Sequence, residues 1–413
     1  MIRLLFQHEI GFVGIWYEIR QKVLESLVGF DLGIGGPKWE KTRPLKLSTG
    51  GCSGKGNYPK SVMNILIIKL RHLGDVLITT PVLSALKEAY PQAKITMVVN
   101  PGTEDMVRGH PDLAEVLPLP RAQHPNFRKE LPSQLKFIRT LRKQHFDISI
   151  DFTIGDRGAF LSFLSGAPQR LGFTPRRGKQ WWWRLAYTQT WPQPEPNKPI
   201  VASHLEMLRL LGLKPNKKKV RFAWSQGDEA GLKTTLSRQG GSNQKPYVVV
   251  HPTSRWMFKT WRLEGYARVI DHLQEVCGLN VMVTGGPEDK EQAAVQAILS
   301  QCRTHPLDLS GRLTLKQLGC LIGGARLFFG VDSAPMHMAA AVETPVLALF
   351  GPSGDIMWGP WGEGHRVIKK DWPCRPCGRD GCEGSKVSRC LEEITAEEAI
   401  SGIESLLSRI PGI

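Results

Sequence analysis

The stretch Asn64-Ile65-Leu66-Ile67-Ile68-Lys69-Leu70, followed at once by Arg71-His72-Leu73-Gly74-Asp75, decides the fold. Its unbroken apolar run is the signature of a strand buried on both faces, which belongs in a parallel sheet covered by helices. The Gly-containing turn leads into a helical pattern from Asp75 to Tyr90, stopped by Pro91, and then into a second strand at Ile95–Val99. Strand, turn, helix, strand is one unit of a right-handed parallel crossover.

The rhythm continues outward. A strand is expected near Val116–Leu119, a basic helix near Glu130–Gln144 and a strand at Ile148–Phe152. The stretch Arg170–Pro196 breaks the alternation. A second series follows the helical segment His204–Leu211, with strands at Tyr247–His251, Asn280–Thr284, Leu327–Val331 and Pro345–Phe350. Helices are predicted between them near Leu263–Cys277, Lys290–Leu299 and Leu315–Ile322. The expected fold class is α/β, with two facing Rossmann-like domains of parallel sheet at 62–205 and 206–413. The closing helical segment, Thr395–Arg409, is expected to pack back on the first of them.

Residues 1–61 precede the first strand as an extension, and 31–61 read as a Gly-, Lys-, Ser- and Pro-rich linker. Within it, Gly50-Gly51-Cys52-Ser53-Gly54-Lys55-Gly56 looks superficially like a phosphate-binding P-loop. Thr49 stands where the first Gly belongs, Gly56 replaces the Ser or Thr that holds magnesium, and no strand precedes it. We reject that reading. Because Met63 directly begins the first strand, the extension reads as a misassigned start; the alternative is an amphipathic segment on a membrane.

Composition narrows the partners. With 41% hydrophobic and 22% charged residues the 413-residue chain has the makeup of a globular protein, and no apolar run reaches 18 residues. The first twenty residues make a poor signal peptide, so a cytoplasmic location is expected. The net charge is +16, and residues 62–200 carry 19 Lys and Arg against 11 Asp and Glu. Such a surface suits an anionic membrane face or a phosphorylated glycolipid, besides being simply well solvated. No zinc-finger spacing, RNP motif or long basic helix points to nucleic acid.

Ligands of open α/β sheets bind beyond the carboxyl ends of the strands, and five loops there carry chemistry. Arg71-His72-Leu73-Gly74-Asp75 places an acid at a helix start, either as a cap or as a general base in reach of a hydroxyl. In His251-Pro252-Thr253-Ser254 with Lys259, hydroxyls and a cation precede a helix, which suits a pyrophosphate. Gly285-Gly286-Pro287-Glu288-Asp289 sets an acid where ribose hydroxyls bind, or where a helix is capped. Asp332-Ser333-Ala334-Pro335-Met336-His337 starts a helix with Pro in its first turn, so free backbone N–H groups there form an anion site with His337 nearby. Phe350-Gly351-Pro352-Ser353-Gly354 repeats the logic with glycines. Four such loops on one rim suit a nucleotide sugar. Lys259, the helix start at Ser333 and His337 would then stabilise a diphosphate leaving group without a divalent metal.

These motifs together resemble glycosyltransferase family 9, the heptosyltransferases of the lipopolysaccharide inner core. Gly74-Asp75-Val76-Leu77 with Thr79-Thr80-Pro81 is similar to the family's N-terminal signature, and the loops bearing Thr253, Ser254, Lys259, Glu288, Asp332, Ser333, Ala334 and His337 to its donor-site motifs. The resemblance runs from Met63 to the C-terminus. It implies a GT-B enzyme with ADP-heptose as donor, a lipopolysaccharide core heptose as acceptor and Asp75 as base. It further implies inversion at the anomeric carbon, no catalytic cofactor, and work at the anionic cytoplasmic face of the inner membrane. The wording of the Lys69–Asp75 and Asp332–His337 segments looks most like the heptosyltransferase III branch, with Ala334 where other branches often have Gly. Heptosyltransferase I or II, a UDP- or GDP-sugar enzyme, and a non-enzymatic nucleotide-binding regulator are the alternatives.

Two features lie outside this frame. Cys374, Cys377, Cys382 and Cys390 are spaced for a tetrahedral structural zinc site or are unligated thiols. Arg176, Arg177 and Trp182, with Arg71, combine cations and an aromatic ring as an acceptor or membrane contact would, unless the tryptophans are interdomain packing.

Overall fold

The computed structural model describes residues 62–120, 127–174, 183–242 and 245–410; the extension 1–61 and the residues Arg176, Arg177 and Trp182 lie outside them. The chain forms two compact units, one of residues 63–119 with 142–413 and one of Met1–Val62 with Pro120–Leu141. In the latter, the described part is chiefly the helix Phe127–Lys143, which continues to Lys143 and carries Pro132 inside it. All else below concerns the larger unit.

Its first sheet consists of β1 (Asn64–Lys69), β2 (Lys94–Val99), β3 (Glu115–Pro118), β4 (Ile148–Asp151), β5 (Gln169–Phe173) and β6 (Gln189–Trp191). Their order is β3-β2-β1-β4-β5-β6, every neighbouring pair parallel. The second sheet consists of β7 (Tyr247–His251), β8 (Asn280–Val283), β9 (Leu307–Asp308), β10 (Leu327–Val331), β11 (Val346–Phe350) and β12 (Arg366–Lys369). It repeats the same order, β12-β11-β10-β7-β8-β9, again all parallel. In each sheet the chain reverses direction between the first and fourth strands, β1 and β4 or β7 and β10, and a ligand crevice opens at such a switch point.

The central strands are as the apolar runs predict. Ile65 to Ile68 and Val248 to Val250 have no exposed surface, with helices on both faces of each sheet. The differences lie at the edges. The Arg170–Pro196 stretch does not break the first sheet but extends it with β5 and β6. β6 is a three-residue edge strand without a buried residue, and β5 beside it is buried only at Leu171–Phe173, so neither carries a long apolar run.

The helix expected over Asp75–Tyr90 is two helices, Leu73–Leu77 and Thr80–Ala89. Pro81 has no N–H to donate to Leu77; the Thr80 hydroxyl donates to the Leu77 carbonyl instead, and the Thr79 hydroxyl to that of Asp75. The closing helix Ala396–Leu407, capped by a Thr395–Glu398 box, does not return to the first sheet. It packs on the second, with Gly402 against Leu347 and Ile368, a hydrogen bond between His272 and Glu404 and an ion pair between Arg268 and Glu397. Its apolar stripe of Ala399, Ile403, Leu406 and Leu407 is buried there with the residues of β10 and β11.

Candidate functional site

The site is built where the two switch points meet. Beyond β1, the five-residue helix Leu73–Leu77 has His72 at its N-cap, without a side-chain cap bond. Asp75 therefore sits inside the first turn and does not cap it, which leaves its carboxylate for other work. Its side chain is 20% exposed, and its Oδ1 lies 3.7 Å from the Nζ of Lys69. Gly74 makes no tight turn, contrary to the sequence reading. A methyl group there would come within 2.9 Å of the His337 ring, so the glycine lets the helix starting at Leu73 lie against that of Ala334–Ala341. Gly74→Ala is accordingly expected to lower stability by about 1–3 kcal/mol through overpacking. Adding His337→Ala should restore part of that in thermal unfolding, and an unchanged Tm in the single variant would refute the contact.

Beyond β7 and β10, the Nζ of Lys259 lies 2.6 Å from Asp332 Oδ2, so two candidate residues from different loops meet at the second switch point. Ser333 holds the N-cap position of Ala334–Ala341, but its hydroxyl neither caps the helix nor finds another partner among the described residues. His337 is buried one turn in, with Nδ1 equally unpartnered, and burial pulls its pKa down against the charges of Asp332 and Asp75. A helix start with two buried polar atoms awaiting partners is built for an anion.

The other predicted residues are placed differently. Thr253 is fully buried and its hydroxyl donates to Glu291 Oε2 at 2.6 Å, while the backbone N–H of Gly286 donates to the same oxygen. It thus ties two rim loops together through its side chain. Ser254 is buried, its hydroxyl accepting weakly from the Trp256 N–H at 3.4 Å. Glu288 is exposed at the N-cap of Asp289–Leu299 without making a cap bond. Gly351 meets Leu391 where a Cβ would be, so its smallness serves packing. Arg71 donates from Nε to the Thr153 carbonyl and from Nη2 to that of Ile154, a β-branched residue at φ 56°. That left-handed backbone is costly for such a side chain and is held partly by this arginine.

Of the four cysteines, Cys374 is exposed, Cys377 and Cys382 are half-buried and Cys390 is buried. Among the described residues no three His, Cys, Asp or Glu side chains converge on a metal-binding arrangement, so the tetrahedral zinc site is not assembled. The segment is instead fastened along the rim of the second sheet. The Arg375 guanidinium donates to the carbonyls of Gly351 and Lys370, and the Ser388 hydroxyl to that of Phe258.

Sequence reasoning missed Lys69, Asp151, Tyr187, His204, Arg255 and Glu291. Arg255 Nη1 is 3.4 Å from His72 Nδ1, and its guanidinium lies over the Trp256 ring. Asp151 is buried, accepting from the Tyr187 hydroxyl at 2.6 Å and the Thr153 N–H at 2.8 Å. The one signal available was a charged Lys69 ending a run otherwise wholly apolar.

His251, at the end of β7, is buried with Nδ1 2.9 Å from the Thr284 hydroxyl, and burial drags its pKa from 6.5 to about 4. Between those values the folded ring binds fewer protons than the unfolded one. Stability is therefore complete above pH 6.5 and falls as pH drops towards 4, by about 3 kcal/mol from this group. Denaturant titrations at pH 7 and 4.5 should show a smaller drop for His251→Gln than for the unaltered chain; equal drops would remove His251 from the account.

Comparison with known proteins adds three findings. Residues 134–388 match the family described as glycosyltransferase family 9 (heptosyltransferase). Lipopolysaccharide heptosyltransferase 3 of Escherichia coli (strain K12) is 32% identical over 347 residues, covering 82% of this chain and 96% of its own. Among solved structures, the glycosyl transferase family 9 protein from Veillonella parvula DSM 2008 is similar with a TM-score of 0.72 at 22% identity, over 84% of this chain and 98% of its own. The E. coli heptosyltransferase WaaC with ADP gives 0.62 at 19% identity, over 83% and 100%.

Proposed function

Because the chain belongs to glycosyltransferase family 9, the heptosyltransferases, we propose that it transfers heptose from ADP-L-glycero-D-manno-heptose to a heptose of the lipopolysaccharide inner core. The observation that carries this reading is one juxtaposition. A carboxylate on the first sheet's rim, Asp75, lies beside an anion cradle on the second sheet's rim, made of Lys259, the helix start at Ser333 and Ala334, and His337.

In the proposed reaction Asp75 takes the proton of the acceptor hydroxyl as that oxygen attacks the anomeric carbon from the face opposite the diphosphate. The new C–O bond forms as the bond to ADP breaks, with inversion. Negative charge collects on the departing diphosphate, and the Lys259 ammonium with the backbone N–H groups of the helix start are the groups assigned to stabilise it. Charge stabilisation is thereby assigned to groups of this chain, and no metal or other cofactor is invoked. The Ser333 hydroxyl and His337 Nδ1 supply the remaining polar contacts, and Glu288 is the exposed acid for the ribose.

The acceptor is anionic and lipid-linked in this reading, and the enzyme works at the cytoplasmic face of the inner membrane. Support comes from the +16 charge and from Phe163 and Leu185, which are 43% and 53% exposed. Arg170 lies over the Phe163 ring and bonds the Leu185 carbonyl, a pairing of apolar surface and cation suited to an anionic interface. No helix among the described residues is long and apolar enough to cross a membrane. Mass spectrometry of a heptosylated core acceptor incubated with ADP-heptose tests the reading. Transfer only from a UDP- or GDP-sugar, or nucleotide binding without turnover, would replace it with one of the alternatives.

A further inference from the structure

Lys69 is the last residue of β1 and is only 3% exposed, in a strand whose neighbours Ile65 to Ile68 are wholly buried. A buried ammonium is retained only where its hydrogens are satisfied, and an apolar side chain of similar length commonly packs at least as well. Three acceptors surround its Nζ: the Phe152 carbonyl at 3.0 Å, His204 Nε2 at 3.4 Å and Asp75 Oδ1 at 3.7 Å. His204 has no exposed surface, and burial with the Lys69 charge holds its ring neutral, well below the usual imidazole range, as an acceptor at Nε2 must be. On the β4 side, Asp151 already accepts from Tyr187 and Thr153, and the lysine forms its ion pair with Asp75 instead.

Asp75 has other cations near it, but each is engaged elsewhere. Arg71 is turned onto the Thr153 and Ile154 carbonyls, and Lys259 onto Asp332. Among the described residues only Lys69 pairs with Asp75. We propose that Lys69 is a positioning residue for heptose transfer, orienting the Asp75 carboxylate towards the acceptor hydroxyl while Phe152 and His204 fix its Nζ from below. This rests on Asp75 being the base, as read above. The ion pair tethers one carboxylate oxygen and leaves the other free to take the proton.

The test measures kcat and KM for ADP-heptose and a heptosylated core acceptor in the unaltered chain, Lys69→Met, Asp75→Asn and the double variant. Lys69→Met should lower kcat about 10- to 100-fold with the donor KM within about twofold, because the interaction acts on the base and not on the donor. The charged and titratable groups facing the pair are Asp151, His204 and Arg71 around Lys69, with His72 and His337 around Asp75. In the Asp75→Asn background, Lys69→Met should cost less than about twofold, since the two residues act as one unit. Lys69→Gln, which keeps a donor for the Phe152 carbonyl, should behave alike and serves if the Met variant fails to fold.

A loss of equal factor in both backgrounds, or one shared equally by kcat and the donor KM, would show a merely structural lysine and overturn the proposal alone. No transfer by the unaltered chain would overturn the functional reading, and the proposal with it.

Discussion

Asp75→Asn is expected to lower the kcat of heptose transfer by about 10²–10⁴-fold, the range over which a positioned general base acts. Asn matches Asp in shape but cannot take the proton, so the acceptor oxygen must attack while still protonated. The side chain is only 20% exposed, and no cap bond is lost, because His72 and not Asp75 holds the N-cap of its helix. Lys69 keeps the Phe152 carbonyl after the substitution. The buried Lys69 nonetheless loses its counter-charge, so a lowered Tm is expected beside the loss of kcat. ADP binding by calorimetry, unchanged within about twofold, separates chemistry from donor affinity. A variant that transfers heptose at the unaltered rate would remove Asp75 as the base, whatever the family.

Lys259→Met should act on the other half of the reaction, lowering kcat/KM for ADP-heptose by about 10²–10³-fold, the usual effect of losing one preorganised donor to a developing anion. The 2.6 Å pair with Asp332 adds a second consequence. Removing the lysine strands a buried carboxylate beside the diphosphate, so repulsion is superimposed on the lost attraction. Lys259→Met with Asp332→Asn should therefore bind ADP-heptose more tightly than Lys259→Met alone, without regaining kcat. If the single variant binds and turns over donor normally, the diphosphate does not lie at the second switch point. If the double variant binds no better than the single, Asp332 has a role of its own on the donor.

The opposite fates of Thr253 and Lys259 show where reading from residues reaches its limit. Both stand in one loop and both suit a phosphate. Only the folded chain turns the Thr253 hydroxyl inward to Glu291, a residue without a recognisable motif, and leaves Lys259 on the rim. Glu291 lies on a helix whose relation to the β7 loop depends on how β7 and β8 pair. In the same way, four cysteines at metal-like spacing form no metal-binding group among the described residues, while Arg375 and Ser388 in their segment bond the Gly351 and Phe258 carbonyls.

The chain's sequence by itself determined the α/β class, the buried central strands of both sheets, and the loops that carry Asp75, Lys259 and the Asp332–His337 segment. The reason is local: a parallel strand buried on both faces must be apolar along its length, and a ligand loop must follow it. Tertiary structure alone decided the short inner strand β5 and the edge strands β6, β9 and β12, whose half-exposed residues carry no such mark. It also decided the home of the closing helix and the partners of Asp75. Lys69, Asp151 and His204 lie tens of residues apart, and their charges acquire meaning only when β1, β4 and the helix Ile200–Met207 bury them together. A buried charge is tolerated only with partners, and partners are supplied by packing.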